Sequence, residues 1–438
     1  MNRTNINLTD EEVALISKGL KCNLNHKSKH WISNIALEAE AAITKLPTDE
    51  QEHIRFQVAH NLQKLYKQYN GKHTDNNKNR TEVKIINQIK GKPKDANAIV
   101  TKADKGNSLI ILYEEEYNSK IHSFISKNNF TQMTQDITNK LQRNFRTVIN
   151  DCNNIIPKDL KHKFINPNPS VPTIRGILKI HKEAAPIRPI INWKNAPGYK
   201  LVKALVKILQ THIPLPYAFN VKNTTHLSSD VAIIPYNHDL KLASFDIKNM
   251  YTNIPTDELI RIVDKACQNN YVDEKIKQSI IKLTKTIIDQ NYFQFLDTTY
   301  IQYEGLAMGA PTSSILSEFY LQCLENTRIF NLLIDHKIEG YFNNVDDILF
   351  VYNERKTNID QFLDQFNNIT PKMEFTIEKE TEGKISVLDI TITRDLDKVS
   401  IDIYRKPKYS DAIIPHDSCH PTEHKLTAIR YLYDRMNM

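Results

Sequence analysis

Apolar residues change their spacing several times along this chain, and each change marks an element. From Pro255 to Gln268 and from Asp273 to Asp289 they recur every three or four positions, with Leu259, Ile262 and Val263, then Ile276, Ile280, Leu283 and Ile287. That period predicts two amphipathic helices. Shorter apolar runs broken by turn residues predict hairpins, one over Ala98 to Leu112 around Asp104 to Asn107, and one over Phe293 to Gln302 turning near Asp297-Thr298. The first 95 or so residues read as helical, with Thr9 and Glu12, and again Thr48 and Gln51, spaced as capping boxes. The second of these helices runs through Phe56, Leu62 and Leu65 toward a stop near Gly71, and the polar stretch Asn70 to Arg80 reads as an exposed loop and soft boundary. A further helix is expected from about Thr134 to Asp151, and strands over Met373 to Lys379 and Val387 to Thr393.

The stretch that departs from plain amphipathicity is Tyr341 to Val351, YFNNVDDILFV, in which Asp346 and Asp347 stand between two apolar runs. Adjacent carboxylates repel each other and desolvate poorly, so this placement points to a cation. An Asp-rich turn has the same local pattern, so the pair decides nothing by itself. A second stretch decides it: in Leu242 to Pro255, LASFDIKNMYTNIP, Asp246 follows a strand-like run, and Tyr251 stands five positions later. Carboxylates from separate strands that converge on two cations about 3.5–4 Å apart are what two-metal phosphoryl transfer requires. Between them lies GLAMGAPTSSILSEFYLQCLE, Gly305 to Glu325, a loop with two glycines that runs into an apolar helix. Such a loop suits a place where backbone approaches a base or nucleotide closely.

Composition narrows the class. The 438 residues are 40% hydrophobic and 25% charged, as in a globular protein, and are too many for one compact core, which suggests two or three subdomains. No apolar run is long enough for a membrane span and the polar start is unlike a signal peptide, so the expected compartment is nucleus or cytoplasm. The five cysteines contain no CxxC pair, which argues against a disulfide framework. His416, Cys419, His420 and His424 lack the paired spacing of a zinc site. The net charge of +7 is unevenly spread: Arg175, Lys179, Lys182, Arg188, Lys194, Lys200, Lys203 and Lys207 face only Glu183 between Thr173 and Lys207, an electrostatic footprint for phosphates.

The order FD…Y, then GLAMGAPTSS, then VDD resembles motifs A, B and C in the palm of reverse transcriptases. TKADKGNSLIIL (Thr101 to Leu112), ILKIHKEAAPIRPIIN (Ile177 to Asn192), FTIEKE (Phe375 to Glu380), VLDITITR (Val387 to Arg394) and IYRKPKYSD with HDSCHPTEHK (Ile403 to Lys425) narrow it. Together they resemble the reverse transcriptases of Penelope-like retroelements. The resemblance implies an α+β right-hand polymerase fold with fingers and an antiparallel palm sheet backed by helices. Its parts would be a helical region over 1–95, fingers over 96–240, palm over 241–400 with finger insertions, and a thumb begun at 401–438 and cut short. It implies an RNA-directed DNA polymerase that transfers nucleotides from dNTPs to a primer on an RNA template, without a redox cofactor or membrane. Asp246, Asp346 and Asp347 would be catalytic and hold two Mg²⁺ ions, with Mn²⁺ as a substitute.

The resemblance further implies that Arg188, with Lys179 or Lys182, faces the triphosphate, and that Gly309 lies against the nucleotide. It also places the ring of Tyr251 under the sugar, where a 2′-hydroxyl clashes. By the pattern alone, Lys179 and His181 share one strand face and Lys182 sits at the turn. Lys102 and Lys105 lie in a finger block near nucleotide or template, and Lys372 and Lys379 are alternatives for protonating pyrophosphate. The chain departs from many reverse transcriptases at Ala307, Ala310 and the pair Asn343-Asn344, the last removing positive charge near the metals. Penelope-like elements often carry a GIY-YIG endonuclease, and nothing like it is present in this chain. The alternative expectation is therefore a truncated, inactive element copy that only binds nucleic acid.

Overall fold

The computed structural model describes the chain except for residues 20–30, 45, 71–75, 105–107, 129, 181, 217–218, 396–397, 405–413, 415–419, 421 and 437–438. It divides into two compact units, Met1–Glu116 with Ser410–Asn437, and Tyr117–Tyr409.

The first unit is helical, with helices Asp10–Ser17, Trp31–Ile43, Thr48–Asn70, Asn76–Asp95 and Thr422–Met436 and one hairpin, Ala98–Lys102 against Leu109–Tyr113. The expected Thr9 box forms: the Thr9 hydroxyl accepts from the Glu12 N–H at 3.3 Å, and the Glu12 carboxylate accepts from the Thr9 N–H at 2.8 Å. The Thr48 box does not. Thr48 is already helical, and the Gln51 amide donates to the Leu46 carbonyl at 2.9 Å, so the side chain caps the approach and not the first turn.

The second unit is built on a four-stranded antiparallel sheet in the order Glu374–Lys379, Leu240–Lys248, Asp347–Asn353, Gly340–Asn344. Both central strands are apolar on two faces because both faces are covered. On one face Ala243, Phe245, Ile247, Ile348, Phe350 and Tyr352 join the main core, together with helices Thr256–Asn269, Glu274–Ile288, Pro311–Leu324 and Ile359–Asn368. On the other, Leu242, Leu349 and Val351 pack with Ile385, Val387, Ile390 and Ile392 of a three-stranded sheet, Lys384–Val387, Ile390–Arg394 and Val399–Ile403. That cover stops short of Ser244, Asp246 and Lys248, which leaves the end of the second face open. The predicted amphipathic pair appears within one or two residues of expectation, Asp273 serving as the cap of the second helix.

A five-stranded sheet carries the remaining predicted hairpins: Thr131–Met133, Thr298–Ile301, Tyr292–Phe295, Thr173–Leu178 and Ile187–Asn192, in that spatial order. The helix expected from Thr134 begins at Thr138 instead, because the Asp136 carboxylate takes both the Thr138 N–H at 2.8 Å and its hydroxyl at 2.5 Å. The strand through ILK also ends early. It stops at Leu178, and Lys179 opens a turn in which the N–H of Lys182 bonds the Lys179 carbonyl and Ala184 and Ala185 take φ of 56° and 42°. The expected shared strand face for Lys179 is thus replaced by a turn, and His181 lies outside the described residues.

Phe350 is the hinge pin of this packing. It is fully buried, with its ring 4.4 Å from Phe245, 5.3 Å from Phe362 and 5.3 Å from Tyr341 between centroids. Phe350→Ala removes a ring from a site closed on all sides, so we expect a loss of about 3–5 kcal/mol in unfolding free energy, measured by denaturant titration at unchanged m-value.

Candidate active site

The aspartates are brought together by strand register. Asp246 pairs directly with Asp347 across the two central strands, with Thr376 on its other side and Asn344 beyond Asp347. Residues opposite each other in an antiparallel ladder project to the same face, here the open one. Asn344 and Asp347 also close the hairpin, so only Val345 and Asp346 form its loop. Val345 has φ of 59°, a conformation costly for a β-branched residue and typical of two-residue hairpin turns. The tight turn sets Asp346 beside the two strand carboxylates.

Asp346 is reachable by water but ringed by protein atoms. Desolvation raises its pKa, the Asp246 charge adds to the rise, and a backbone hydrogen bond and the charges of Arg188 and Lys179 oppose it. The turn that displaced Lys179 from its strand therefore leaves its charge within reach of the aspartate. Arg188, on Ile187–Asn192, pairs with Ile177 and is exposed. Lys182 is exposed in the same turn.

Among the described residues no three Asp, Glu, His or Cys side chains stand close enough to hold a metal ion by themselves. The donor chemistry nevertheless fits Mg²⁺: hard carboxylate oxygens crowded enough to disfavour ionisation at one of them, open to water, with cationic side chains opposite. Mg²⁺ retains several waters and takes one or two carboxylates with substrate phosphates, so a full protein cage is not required.

Tyr251 lies in a single helical turn, Met250–Asn253, entered through Asn249 at φ 50°. It is half-buried against the main core, and its hydroxyl is held near Ser317, Asp346 and Glu318; desolvation first, and then those two charges, push its pKa up. The glycine loop packs on this turn. The Leu306 N–H donates to the Tyr251 carbonyl at 2.6 Å, and Gly305 (φ 81°) leaves no room for a Cβ, which would fall 2.3 Å from the Thr252 oxygen. At Gly309 (φ 86°) a Cβ would fall 2.6 Å from the Ile191 carbonyl oxygen. The close approach at Gly309 is thus made to the strand that carries Arg188. Pro311 then starts helix Pro311–Leu324, as its fixed φ favours.

Sequence reasoning missed a buried polar line on that helix. Asn220 donates to Glu318 at 2.9 Å, Gln322 to the same carboxylate at 3.1 Å, and Tyr341 and Asn343 to Glu325 at 2.9 and 2.7 Å. Glu325 opens a π-helical turn, Glu325–Ile329. The signal was present as 318, 322 and 325, polar residues at helical spacing in an otherwise apolar segment. The same contacts account for Asn343 and Asn344. Asn343 exchanges backbone bonds with Phe219 and Val221, and the Asn344 amide donates to the Val221 carbonyl at 2.8 Å, so the pair anchors the aspartate hairpin to segment 219–221.

Other sequence candidates are placed as follows. Lys372 and Lys379 pair with Glu304 and Asp360, each at 2.7 Å. Lys200 donates to the Ile165 carbonyl at 3.3 Å and Lys203 lies over the Tyr199 ring at 4.7 Å, while Leu201, Val202, Leu205 and Leu209 of the same helix are buried. Lys102 lies on the hairpin of the first unit; Lys105, His416 and Cys419 lie outside the described residues.

No family model matches the sequence, and no curated protein matches it. Solved structures match its fold. Telomerase from Candida albicans, in complex with a TWJ fragment of telomeric RNA, is 13% identical with a TM-score of 0.52, over 90% of this chain and 63% of that one. Telomerase from Candida tropicalis, likewise with a TWJ fragment of telomeric RNA, is 11% identical with a TM-score of 0.51, over 89% and 60%. This chain therefore spans about six tenths of the length of the chains it matches, 63% and 60%. The fold is the one these telomerase structures share, α+β with an antiparallel sheet backed by helices, as the sequence predicts. Among the described residues no helix is long and apolar enough to cross a membrane.

Glu325 gives this region a measurable pH dependence. Desolvation lifts its pKa to about 7, against the hydrogen bonds from Tyr341 and Asn343 and with help from Glu318. A carboxyl whose folded pKa is raised stabilises the fold below its unfolded pKa and loses that contribution as pH rises through the folded one. Unfolding free energy should therefore fall by roughly 2–3 kcal/mol between pH 5 and 8 relative to Glu325→Gln, whose profile is flatter. Denaturant titration across that range checks it; parallel profiles would contradict the assignment.

Proposed function

We propose that this chain is an RNA-directed DNA polymerase of the Penelope-like kind, adding nucleotides from dNTPs to a primer paired with an RNA template. The observation that carries the reading is the register that sets Asp246 against Asp347, with Asp346 in the adjoining turn and the Arg188 and Lys179 charges directed at it. Asp246 and Asp346, joined by Asp347, are the residues to hold two Mg²⁺ ions, which would supply the charge that activates a primer 3′-hydroxyl and stabilises departing pyrophosphate. The protein's own groups complete the site. Arg188 presents a planar fork suited to phosphate oxygens, and Lys179 a second cation. Tyr251 supplies a wall beneath the sugar. The fold likeness to telomerases supports the polymerase class, and the ordered sequence blocks support the narrower element family. A polymerase of this kind would work in the nucleus or cytoplasm, where nucleic-acid templates are found.

Primer extension on poly(rA)/oligo(dT) with Mg²⁺ or Mn²⁺ tests the reading. Asp246→Asn and Asp346→Asn each remove ligand charge and little packing, so incorporation should fall by at least about a thousandfold while thermal unfolding stays cooperative. Undiminished extension by either variant contradicts the site assignment, and a wild-type chain that binds primer-template without extending it identifies an inactive nucleic-acid-binding copy.

The sugar wall makes a separate prediction. Tyr251→Ala should raise rNTP use relative to dNTP by about tenfold, the size expected when one group provides steric discrimination. The ratio of kcat/KM values is the measurement, and an unchanged ratio in a folded, active variant assigns Tyr251 to packing alone.

A further inference from the structure

The turn that carries Tyr251 is too short to satisfy itself. Met250–Asn253 is a single helical turn, so its terminal carbonyls have no partners within the helix, and Thr252 is buried. Buried carbonyls need donors. The Leu306 N–H meets the Tyr251 carbonyl, and the Gln302 side-chain amide meets the next one, donating to Thr252 O at 3.3 Å. Gln302 is itself held. Its N–H donates to the Asn291 carbonyl at 2.8 Å, and its Oε1 accepts from Asn291 Nδ2 at 3.1 Å. Asn291 Nδ2 also lies 3.4 Å from the Gly305 carbonyl. Gln302 and Asn291 are 7% and 1% exposed, so water does not substitute for either.

Two amides thus join the ends of the Tyr292–Phe295/Thr298–Ile301 hairpin to the Tyr251 turn and the glycine loop together. Gly305 allows the contact to be close, since any side chain there would strike the Thr252 carbonyl.

We infer that Gln302, oriented by Asn291, is a positioning residue for sugar discrimination: it sets the height of the Tyr251 ring against the carboxylates by capping the turn from which that ring projects. The inference rests on the polymerase reading and on the wall assigned to Tyr251. Displacements of an ångström in a positioned group are enough to change selectivity severalfold or more.

The test uses the full chain with Gln302→Met, close in length but without a donor, and Gln302→Leu, which likewise removes the donor for Thr252 and the acceptor for Asn291. Both should lower dNTP-over-rNTP selectivity about three- to tenfold, and in the Tyr251→Ala background Gln302→Met should change it no further, because the two act through one ring. Hydrogen exchange of the Leu306 amide, which reports the neighbouring bond to Tyr251, should accelerate without change in core amides. Selectivity that moves with Tyr251→Ala but not with Gln302→Met overturns this inference and leaves the polymerase reading intact. Equal effects of Gln302→Met with and without Tyr251 also overturn it. If Tyr251→Ala leaves the ratio unchanged, both the wall and its positioning fall. Should the wild-type chain incorporate no nucleotide, the polymerase reading fails first, and an unaltered Leu306 exchange rate in Gln302→Met then removes the positioning role.

Discussion

The register of two strands is the constraint on which the rest depends. Leu240–Lys248 and Asp347–Asn353 are buried on both faces for most of their length, so a slip of one residue would turn Phe245 and Ile348 into the open face and bury two carboxylates in the core. Burying unpaired carboxylates costs far more than any local pairing preference returns. The apolar cover therefore does more than stabilise the sheet; it determines which residues stand opposite each other at its open end. With Asn344 paired to Asp347, the two-residue loop then leaves Asp346 no freedom to drift away.

That arrangement concentrates negative charge, and the neighbouring elements are built to oppose it. The strand Ile187–Asn192 supplies Arg188 and, through its carbonyl at Ile191, the surface against which Gly309 packs. A change in that strand would move the cation and the glycine loop together. The glycine loop in turn bonds the Tyr251 turn, so Arg188, the loop and the Tyr251 ring share one mechanical frame instead of hanging from independent loops. Such sharing favours preorganisation, since groups fixed before substrate arrives need no ordering when it does.

Buried polar groups below the site follow the same logic. Glu318 and Glu325 are nearly inaccessible, and each is tolerated because several donors converge on it from separate segments. Their partners tie segment 219–221, through Asn220, to helix Pro311–Leu324 and the outer strand of the aspartate hairpin, through Tyr341 and Asn343, to the π-helical turn that follows it. An apolar replacement would pack without specifying this alignment. Asn343 and Asn344, just ahead of the aspartates, are thus part of the scaffold.

How much of this could be read from the sequence depends on the range of the interaction. Apolar spacing located the helices at Thr256–Asn269 and Glu274–Ile288 and the hairpins, because period and turn chemistry are local. The three aspartates were visible as carboxylates set against apolar runs, and the glycines as positions that refuse a side chain. Where local signals competed, the reading failed: a capping box at Thr48 gave way to a bond to Leu46, and the alternation through Lys179 gave way to left-handed alanines in the following turn. Only tertiary structure decided that Asp246 faces Asp347, that the charge of Lys179 acts on Asp346, and that Gln302 caps a turn 50 residues away. Each of these joins residues far apart in the chain, and the spacing of residues along one strand or helix carries no information about which distant partner its open face will meet.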